Sequence, residues 1–204
     1  MSDIAGLVTS LRKNAAGAKR YMVAVVGAPG SGKSTIAHNL CGALKQTGET
    51  AIVVPMDGFH YDDAVLNARG HRPRKGAPFT FDVFGFEVLL KRIRAGEPEI
   101  AIPVFDRTME LARAGADIVD AKAKFVLVEG NYLLLNAAPW DRLRGLFDFS
   151  VYLNVTRDEL ERRLIQRWLD HGFDMTYAKN WVASNDLLNI DEVIRNSAQA
   201  DLTI

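Results

Sequence analysis

The sequence predicts an α/β fold, a three-layer sandwich in which a parallel β-sheet carries helices on both faces. Two observations support this prediction. Short apolar runs rich in β-branched residues, typical of buried strands, lie at 21–27, 51–55, 124–130 and 147–155. Segments with the helical spacing of apolar residues separate these runs, and strands that alternate with helices form parallel sheets. No internal repeat or linker interrupts the chain, so we expect one domain over residues 1–204.

The composition excludes several classes of protein. Lys plus Arg and Asp plus Glu balance at 25 each, which argues against a nucleic-acid or membrane-surface binder driven by overall charge. Cys41 is the one cysteine, so neither an intrachain disulfide nor a cysteine zinc cluster can form. It lies in an apolar helical pattern, which predicts a small buried side chain. No run of about 18 apolar residues and no signal-peptide layout is present, and we expect a cytoplasmic protein.

The elements of the first half follow in order from periodicity. The predicted N-terminal helix, over about residues 2–17, places four apolar side chains on one face: Ile4, Leu7, Val8 and Leu11. After the first strand, a helix is predicted over about 33–45. The second strand, at 51–55, is followed by a short predicted helix at 62–69. The basic segment RGHRPRK (69–75) comes next.

The second half continues the alternation. Asp82 is predicted to cap a helix that runs through Ile93 and ends at Gly96. Pro103 limits the strand within 99–106 to a short or edge strand. Thr156 and Glu159 form the capping-box pattern Thr-x-x-Glu, which predicts a helix to about residue 170. The closing segment ADLTI predicts a last strand.

The segment GAPGSGKS (27–34) predicts a phosphate-binding loop. It matches G-x-x-x-x-G-K-[ST] in full, follows a predicted strand and opens a predicted helix. Glycines let successive N–H groups turn inward towards phosphate oxygens, and the helix N-terminus adds a favourable dipole. Lys33 is expected to reach the β- and γ-phosphates and Ser34 to hold Mg²⁺. The predicted nucleotide-binding residues are Gly27, Ala28, Pro29, Gly30, Ser31, Gly32, Lys33, Ser34 and Thr35.

Two carboxylates follow strands and are expected to face this loop, because ligands of parallel sheets bind at the carboxyl ends of strands. Glu129 ends the run VLVEG, where it could support the Mg²⁺ site or a water on it. Asp57 lies two residues beyond the second strand and is the best candidate for the base that a kinase needs. The sequence contains no N-K-x-D motif, which lowers the case for a GTPase.

The rest of the segment PMDGFHYDD (55–63) is divided between structural and functional interpretations. Asp62 and Asp63 are expected to start the short helix, since Asp is a preferred N-cap. His60 and Tyr61 are interpreted equally well as substrate contacts or as ordinary loop residues.

Positive charge is available at three further places. Arg107 follows a predicted strand, and Arg163 and Arg167 lie four residues apart on one helix face. Exposed arginines on a helix are usually solvated surface, but two on one face are also the arrangement that a lid needs to clamp a transferring phosphate, and the lid is the favoured interpretation. For the basic segment 69–75 two interpretations stay open, attraction of an anionic acceptor or a flexible charged surface.

Together these motifs resemble the uridine kinase, pantothenate kinase and phosphoribulokinase group of P-loop kinases. The resemblance covers nearly the whole chain and depends on GAPGSGKST, MDGF, RKGAPFTFD, VFDR, VEGNY and the arginine-bearing helix, in that order. The combination of MDGFH, RKGAP, VEGNYLLL and SNDL is similar to bacterial proteins described as fructose transport system kinases or nucleoside/nucleotide-kinase-like proteins. Uridine kinases carry Asp-Ser-Phe-Tyr where this chain has Asp-Gly-Phe-His, which weakens the case for a uridine acceptor.

The resemblance implies a P-loop NTPase fold with five parallel strands in the order 2-3-1-4-5 and a helical lid over about residues 156–175. It also implies ATP with Mg²⁺ as phosphoryl donor, Asp57 as base, and lid arginines at Arg163 and Arg167, next to Arg162. Residues that it places at the acceptor are Arg107, Asn131 and Tyr132. Segment 197–200 is placed near adenine.

The function expected from the sequence is therefore ATP-dependent phosphoryl transfer to a hydroxyl group of a small metabolite such as a sugar, a nucleoside or a pantothenate-like compound. The alternative is a regulatory ATP-binding protein that senses a metabolite or a partner without transferring phosphate. No nucleic-acid or membrane partner is expected, and a homodimer stays open.

Overall fold

A computed structural model describes residues 4–204. Seven strands and seven α-helices are found in this part of the chain. The strands are β1 (Tyr21–Gly27), β2 (Ala51–Pro55), β3 (Ile100–Asp106), β4 (Leu111–Val119), β5 (Phe125–Gly130), β6 (Phe149–Leu153) and β7 (Leu202–Thr203). The helices are α1 (Ile4–Asn14), α2 (Lys33–Gln46), α3 (Asp63–Ala68), α4 (Val83–Ala95), α5 (Arg157–Asp170), α6 (Met175–Trp181) and α7 (Leu187–Asn196).

The central sheet has five parallel strands in the order β2-β5-β1-β6-β7. Numbered among themselves along the chain, these strands follow the order 2-3-1-4-5, so the predicted fold class and strand order are confirmed. Every residue of β1 and β5 is buried, as expected for central strands covered on both faces.

Each face of the sheet has its own apolar core. The core on one face includes side chains of α1 and α2, and Cys41 is buried in it as predicted. The core on the other face includes side chains of α4, α5 and α7. The N-terminal helix is shorter than predicted, because α1 ends at Asn14 and Gly17 follows with a φ of 79°. The predicted start at residue 2 lies outside the described residues.

The caps agree with the predictions in two cases and disagree in a third. Asp82 accepts a hydrogen bond from the Gly85 N–H at the start of α4, and Asp62 accepts one from the Ala64 N–H at the start of α3. The prediction of a capping box at the start of α5 is wrong. Thr156 is the N-cap residue but makes no side-chain capping bond; Glu159 instead binds Arg162 and Arg163.

The structure has a β-hairpin where the sequence predicts a single strand. The strand predicted within 99–106 is β3, and it pairs antiparallel with β4, for which the sequence analysis predicts no element. Pairing is irregular between Ile102 and Val104, at Pro103, which cannot donate to a ladder. β4 was missed because LARAGADIV is rich in small residues and lies mostly at the surface, which removes the apolar alternation that indicates a strand.

None of the helices within residues 4–204 is long and apolar enough to cross a membrane.

Candidate active site

The loop between β1 and α2 has the geometry of an anion cradle. Gly30 and Gly32 adopt left-handed backbone angles, with φ of 82° and 89°, which glycine does without steric cost. A Cβ on Gly27 would collide with the Ser31 side chain. No side chain caps the N-terminus of α2, so its first N–H groups are free to bind phosphate oxygens.

The registers of the sheet bring the predicted acidic residues to the same edge. Glu129 of β5 pairs with Pro55 of β2 on one side and with Val25 of β1 on the other. Asp57 and the glycine loop follow these strands within a few residues, so both carboxylates and the loop lie at the carboxyl end of the sheet. This is the edge at which parallel sheets bind ligands.

Asp57 lies in a short 3₁₀ turn, Met56–Phe59, and its carboxylate accepts a hydrogen bond from Arg107 Nη2 at 2.8 Å. Burial alone would raise the pKa of this carboxyl group. Electrostatic interactions with His60, Lys33 and Arg107 outweigh burial and hold the pKa below its ordinary value. Asp57 is therefore ionised at neutral pH and can accept a proton.

Glu129 is 5% exposed, and its environment acts in the opposite direction. Burial raises its pKa, and the negative charge of Asp57 raises it further. Lys33 and a hydrogen bond with Ser34 offset only part of this rise. Glu129 thus lies against the two loop residues expected to contact the γ-phosphate and Mg²⁺.

The helix α5 brings one of its arginines to the cradle. Arg163 Nη1 donates to the carbonyl oxygens of Gly30 and Ser31, at 3.3 and 3.4 Å, and Arg163 Nε binds Glu159 at 2.7 Å. Arg167, one turn further on, makes no ion pair within residues 4–204, and it interacts electrostatically with Asp57. Of the two predicted lid arginines, Arg163 therefore contacts the cradle, whereas Arg167 interacts with the carboxylate of Asp57.

The residues predicted to touch the acceptor have different surroundings. His60 is half-buried, its Nδ1 lies 2.8 Å from the Asp57 carbonyl oxygen, and its ring packs on Phe81 and Phe105. The Tyr61 ring stacks under Arg69, with the guanidinium carbon 4.7 Å from the ring centre. Neither arrangement by itself distinguishes a substrate contact from a structural role.

Two further predicted acceptor residues follow Glu129. Asn131 is 8% exposed, and its Oδ1 is buried and accepts no hydrogen bond from residues 4–204. Tyr132, predicted to line the cleft, is completely buried instead, and its hydroxyl donates to the Gly76 carbonyl at 2.6 Å. This hydrogen bond joins Tyr132 to the residue that follows the basic segment. The Tyr132 ring packs among core aromatics and leaves no surface for a ligand.

The basic segment 69–75 is anchored, which contradicts its interpretation as a flexible charged surface. Lys75 is 8% exposed at its side chain and binds Asp63 at 2.7 Å. Arg72 binds the same carboxylate. Arg74 reaches Asn185 and Asn189, each at 3.1 Å. The sequence analysis assigned no role to these two asparagines; the one signal was that Asn185 belongs to the motif SNDL.

Comparison with known proteins shows the family to which the chain belongs. Residues 22–202 match the family model described as "Phosphoribulokinase / Uridine kinase family". The chain belongs to this family. An Escherichia coli K12 protein named "Uncharacterized protein YggC" is 34% identical over 188 residues, which cover 91% of this chain and 78% of that protein. A Schizosaccharomyces pombe protein named "Putative uridine kinase C227.14" is 32% identical over 195 residues, 91% of this chain and 83% of that protein.

The fold is shared with a solved structure over its full length. The crystal structure of a "putative fructose transport system kinase" from Silicibacter sp. TM1040 superposes with a TM-score of 0.95 and 41% identity, covering 100% of both chains. P-loop kinase is thus the family and the fold of this chain, and the named relatives differ in the substrates that their names suggest.

The residues at the cradle fit ATP with Mg²⁺. The uncapped start of α2 offers N–H donors, and the buried Ser31 hydroxyl has no hydrogen-bond partner in the described part of the chain. No group of three or more His, Cys, Asp or Glu that could hold a metal is found among residues 4–204. Ser34 and Glu129, the residues predicted to hold Mg²⁺, are hydrogen-bonded to each other. A small set of protein ligands suits Mg²⁺, because this ion keeps waters and phosphate oxygens as its other ligands.

Proposed function

We propose that this protein is an ATP-dependent kinase that transfers the γ-phosphoryl group to a hydroxyl group of a small metabolite. The observation that carries the proposal is the Asp57 carboxylate, held in its ionised form opposite the glycine cradle and paired with Arg107 at 2.8 Å. A protein that bound a nucleotide without transferring phosphate would need the cradle and a carboxylate to support Mg²⁺, a task for which Glu129 is available, but no second carboxylate to act as base.

In the proposed reaction, Asp57 accepts the proton of the acceptor hydroxyl while that oxygen forms a bond to the γ-phosphorus. The bond between the γ-phosphorus and the oxygen bridging to the β-phosphate breaks, and ADP leaves with the electron pair. Lys33, Arg163 and Arg167 offset the negative charge on the phosphoryl oxygens. Mg²⁺, held by Ser34 and supported by Glu129, would supply further charge neutralisation.

The acceptor is proposed as a class, a small hydroxyl compound such as a sugar, a nucleoside or a pantothenate-like molecule. His60, Tyr61, Arg107 and Asn131 are proposed to surround it. Asn131 supports this role because its unpaired buried Oδ1 would gain a donor from a substrate hydroxyl group.

The proposal is tested by measuring ATP consumption across sugars, nucleosides, vitamin precursors and hydroxy acids. Replacing Asp57→Asn should reduce transfer by at least about 100-fold, because general-base catalysis contributes typically 10²- to 10⁴-fold. ATP binding should persist. Asp62→Asn is the matched control, since Asp62 caps α3 at the surface through a single bond to the Ala64 N–H.

Wild-type rates of transfer in the Asp57→Asn variant would show that the base is another residue. If no acceptor stimulates ATP consumption and a protein partner co-purifies in an ATP-dependent manner, the regulatory ATP-binding alternative replaces the kinase.

A further inference from the structure

A cluster of buried polar side chains lies behind the proposed lid. Asn185, Asp186 and Asn189, here called the junction, are 2%, 7% and 2% exposed. Asn185 and Asp186 belong to a π-helical turn between α6 and α7, Val182–Asp186. Turns of this kind are rare and occur often at functional sites. Because buried polar groups are costly without partners, the contacts of the junction indicate what it holds together.

On one side the junction is bound to the basic segment. Arg74 Nε donates to Asn185 Oδ1 and Arg74 Nη2 donates to Asn189 Oδ1, both at 3.1 Å. Asn185 Nδ2 donates in turn to the Lys75 carbonyl oxygen at 3.0 Å. A guanidinium fork that spans two amides fixes orientation as well as position. The basic segment cannot shift without breaking three hydrogen bonds to residues more than 100 positions away.

On the other side the junction is bound to the proposed lid helix. Trp168 Nε1, on α5, donates to Asp186 Oδ2 at 3.3 Å. The preceding residue, Arg167, makes no ion pair in the described chain and interacts electrostatically with both Asp186 and Asp57. The position of Arg167 therefore depends on where α5 lies and on the charge of Asp186 in the junction.

The basic segment also reaches the acceptor side. Lys75 Nζ, adjacent to Arg74, lies 5.3 Å from the centre of the Phe105 ring, and the same ring packs on His60. Its ammonium group is bound by Asp63 at 2.7 Å and by the Glu110 carbonyl in the hairpin turn at 2.9 Å. The segment therefore contacts the acceptor side through Lys75 and the junction through Arg74.

We propose that Arg74 and Asn185 are positioning residues that couple the basic segment at the acceptor side to the lid helix, and thereby set the position of Arg167. The consequence for catalysis rests on the proposed kinase function, but the mechanical coupling does not. The junction contacts both elements, through Arg74 on one side and Trp168 on the other. A second link between α7 and α5, from Arg157 to Asp191, lies at the start of α5, away from Arg167.

The coupling is tested by amide hydrogen exchange of the full chain without ligands. Arg74→Ala should accelerate exchange by roughly tenfold or more in 69–77 and also in 164–170, because it removes two hydrogen bonds donated by a charged group. Arg72→Ala is the matched control in the same segment; its partner Asp63 is nearby in sequence, so its effect should stay within 62–77. Arg74→Lys, which keeps the charge but not the fork, should behave like Arg74→Ala.

The contact between the junction and α5 is tested with Trp168→Phe, which keeps an aromatic ring and removes the donor to Asp186. In this background, Arg74→Ala should accelerate exchange in 69–77 alone. The proposal is wrong if Arg74→Ala leaves the exchange rates of 164–170 unchanged in the wild-type background. It is also wrong if Arg74→Ala still accelerates exchange in 164–170 when Trp168→Phe is present. Should Arg74→Ala fail to fold, Asn185→Asp replaces it. This variant keeps the oxygen that accepts from Arg74 but removes the amide group that donates to the Lys75 carbonyl oxygen, and exchange is compared in the same two segments.

The catalytic consequence is measured with ATP hydrolysis, which needs no acceptor. Arg74→Ala should lower kcat several-fold and leave KM for ATP nearly unchanged, since Arg167 is expected to act on the transition state; Arg72→Ala should change neither. Coupling in exchange with an unchanged kcat overturns the catalytic part of the proposal. Failure of the kinase function itself is recognised separately, because in that case no hydroxyl acceptor stimulates ATP consumption by the wild-type protein.

Discussion

Two neighbouring carboxylates, Asp57 and Glu129, are pushed in opposite directions by their surroundings. Burial acts to raise both pKa values, but the electrostatic interactions of Asp57 with His60, Lys33 and Arg107 outweigh burial and hold its pKa below the ordinary value. The pKa of Glu129 rises, partly because Asp57 is ionised nearby. Separated pKa values are typical of carboxylates with different roles, and they favour Asp57 as the proton acceptor.

At the same scale, Glu87 is a structural carboxylate with a pH dependence that can be measured. Its side chain accepts hydrogen bonds from Arg142 at 2.8 and 3.1 Å and from Lys91 at 2.6 Å. The hydrogen bonds from Arg142 and then Lys91 lower the pKa of Glu87 from 4.5 to about 2. A carboxyl group with a depressed folded-state pKa stabilises the protein above its unfolded pKa and loses this contribution as pH falls through its folded pKa.

We therefore expect Glu87→Gln to lower the free energy of unfolding at pH 7 and to differ progressively less from wild type as the pH falls from about 4.5 to about 2. Urea unfolding across this range measures the difference. Glu97→Gln is the control, because its ion pair with Arg92 is exposed on both sides and such pairs contribute little. A difference that stays constant down to pH 2 would mean that Glu87 is not stabilised by its charge.

The sequence predicts which residues lie at the site better than it predicts the burial and the partners of their side chains. Motif and strand position were enough to predict that Lys33, Asp57 and Glu129 lie at one edge, because parallel strands end there together. The burial of Tyr132 could not be predicted, because it involves a residue 56 positions away. The carbonyl oxygen of Gly76 accepts the hydrogen bond that the Tyr132 hydroxyl donates. Short motifs indicate which residues share a cleft but not which side chains face it.

At the scale of elements, the hairpin β3–β4 completes the site. It carries Arg107 to Asp57, and it packs against the turn that holds Asp57 through a tight contact at Gly58. A Cβ on Gly58 would overlap the Pro103 carbonyl group of β3. The site therefore needs glycine at this position for space rather than for backbone conformation.

Gly58→Ala should destabilise the protein by about 1–3 kcal/mol, the usual cost of overpacking, and should lower phosphoryl transfer by moving Asp57 away from Arg107. Urea unfolding and the transfer assay measure the two effects. Gly42→Ala is the control: Gly42 is within α2 and has nothing within 4 Å of its added Cβ, so it should gain roughly 0.5–1 kcal/mol from helix propensity. Equal stability of the two variants would show that the hairpin yields at Gly58.

At the scale of the whole molecule, local patterns determined the fold class and long-range contacts determined how the cleft is closed. Apolar runs and helical periods predicted the parallel sheet, because burial of central strands is recorded in their own composition. The link between Arg74 and Asn185 spans 111 positions, and the hydrogen-bond partners of a charged side chain have no periodic signal. The same is true of the contact between the proposed lid and the cradle.

That contact is formed by one of two adjacent arginines. Arg162 and Arg163 both bind Glu159, but only Arg163 reaches the cradle, through the carbonyl oxygens of Gly30 and Ser31. The side chain of Arg162 is 68% exposed and that of Arg163 is 41% exposed. Since the two residues are neighbours on α5 and share one carboxylate partner, each is a matched control for the other.

Arg163→Ala should lower kcat for phosphoryl transfer by about 100- to 1,000-fold, the loss typical for removal of one donor that stabilises transition-state charge. Arg162→Ala should change kcat little, because an exposed ion pair contributes about 0–1 kcal/mol. Both variants should unfold at nearly the same urea concentration as wild type, since each retains the other bond to Glu159. Steady-state kinetics at saturating ATP separates the two cases; an equal fall in kcat for both would assign the effect to Glu159 and the helix rather than to the Arg163 guanidinium at the cradle.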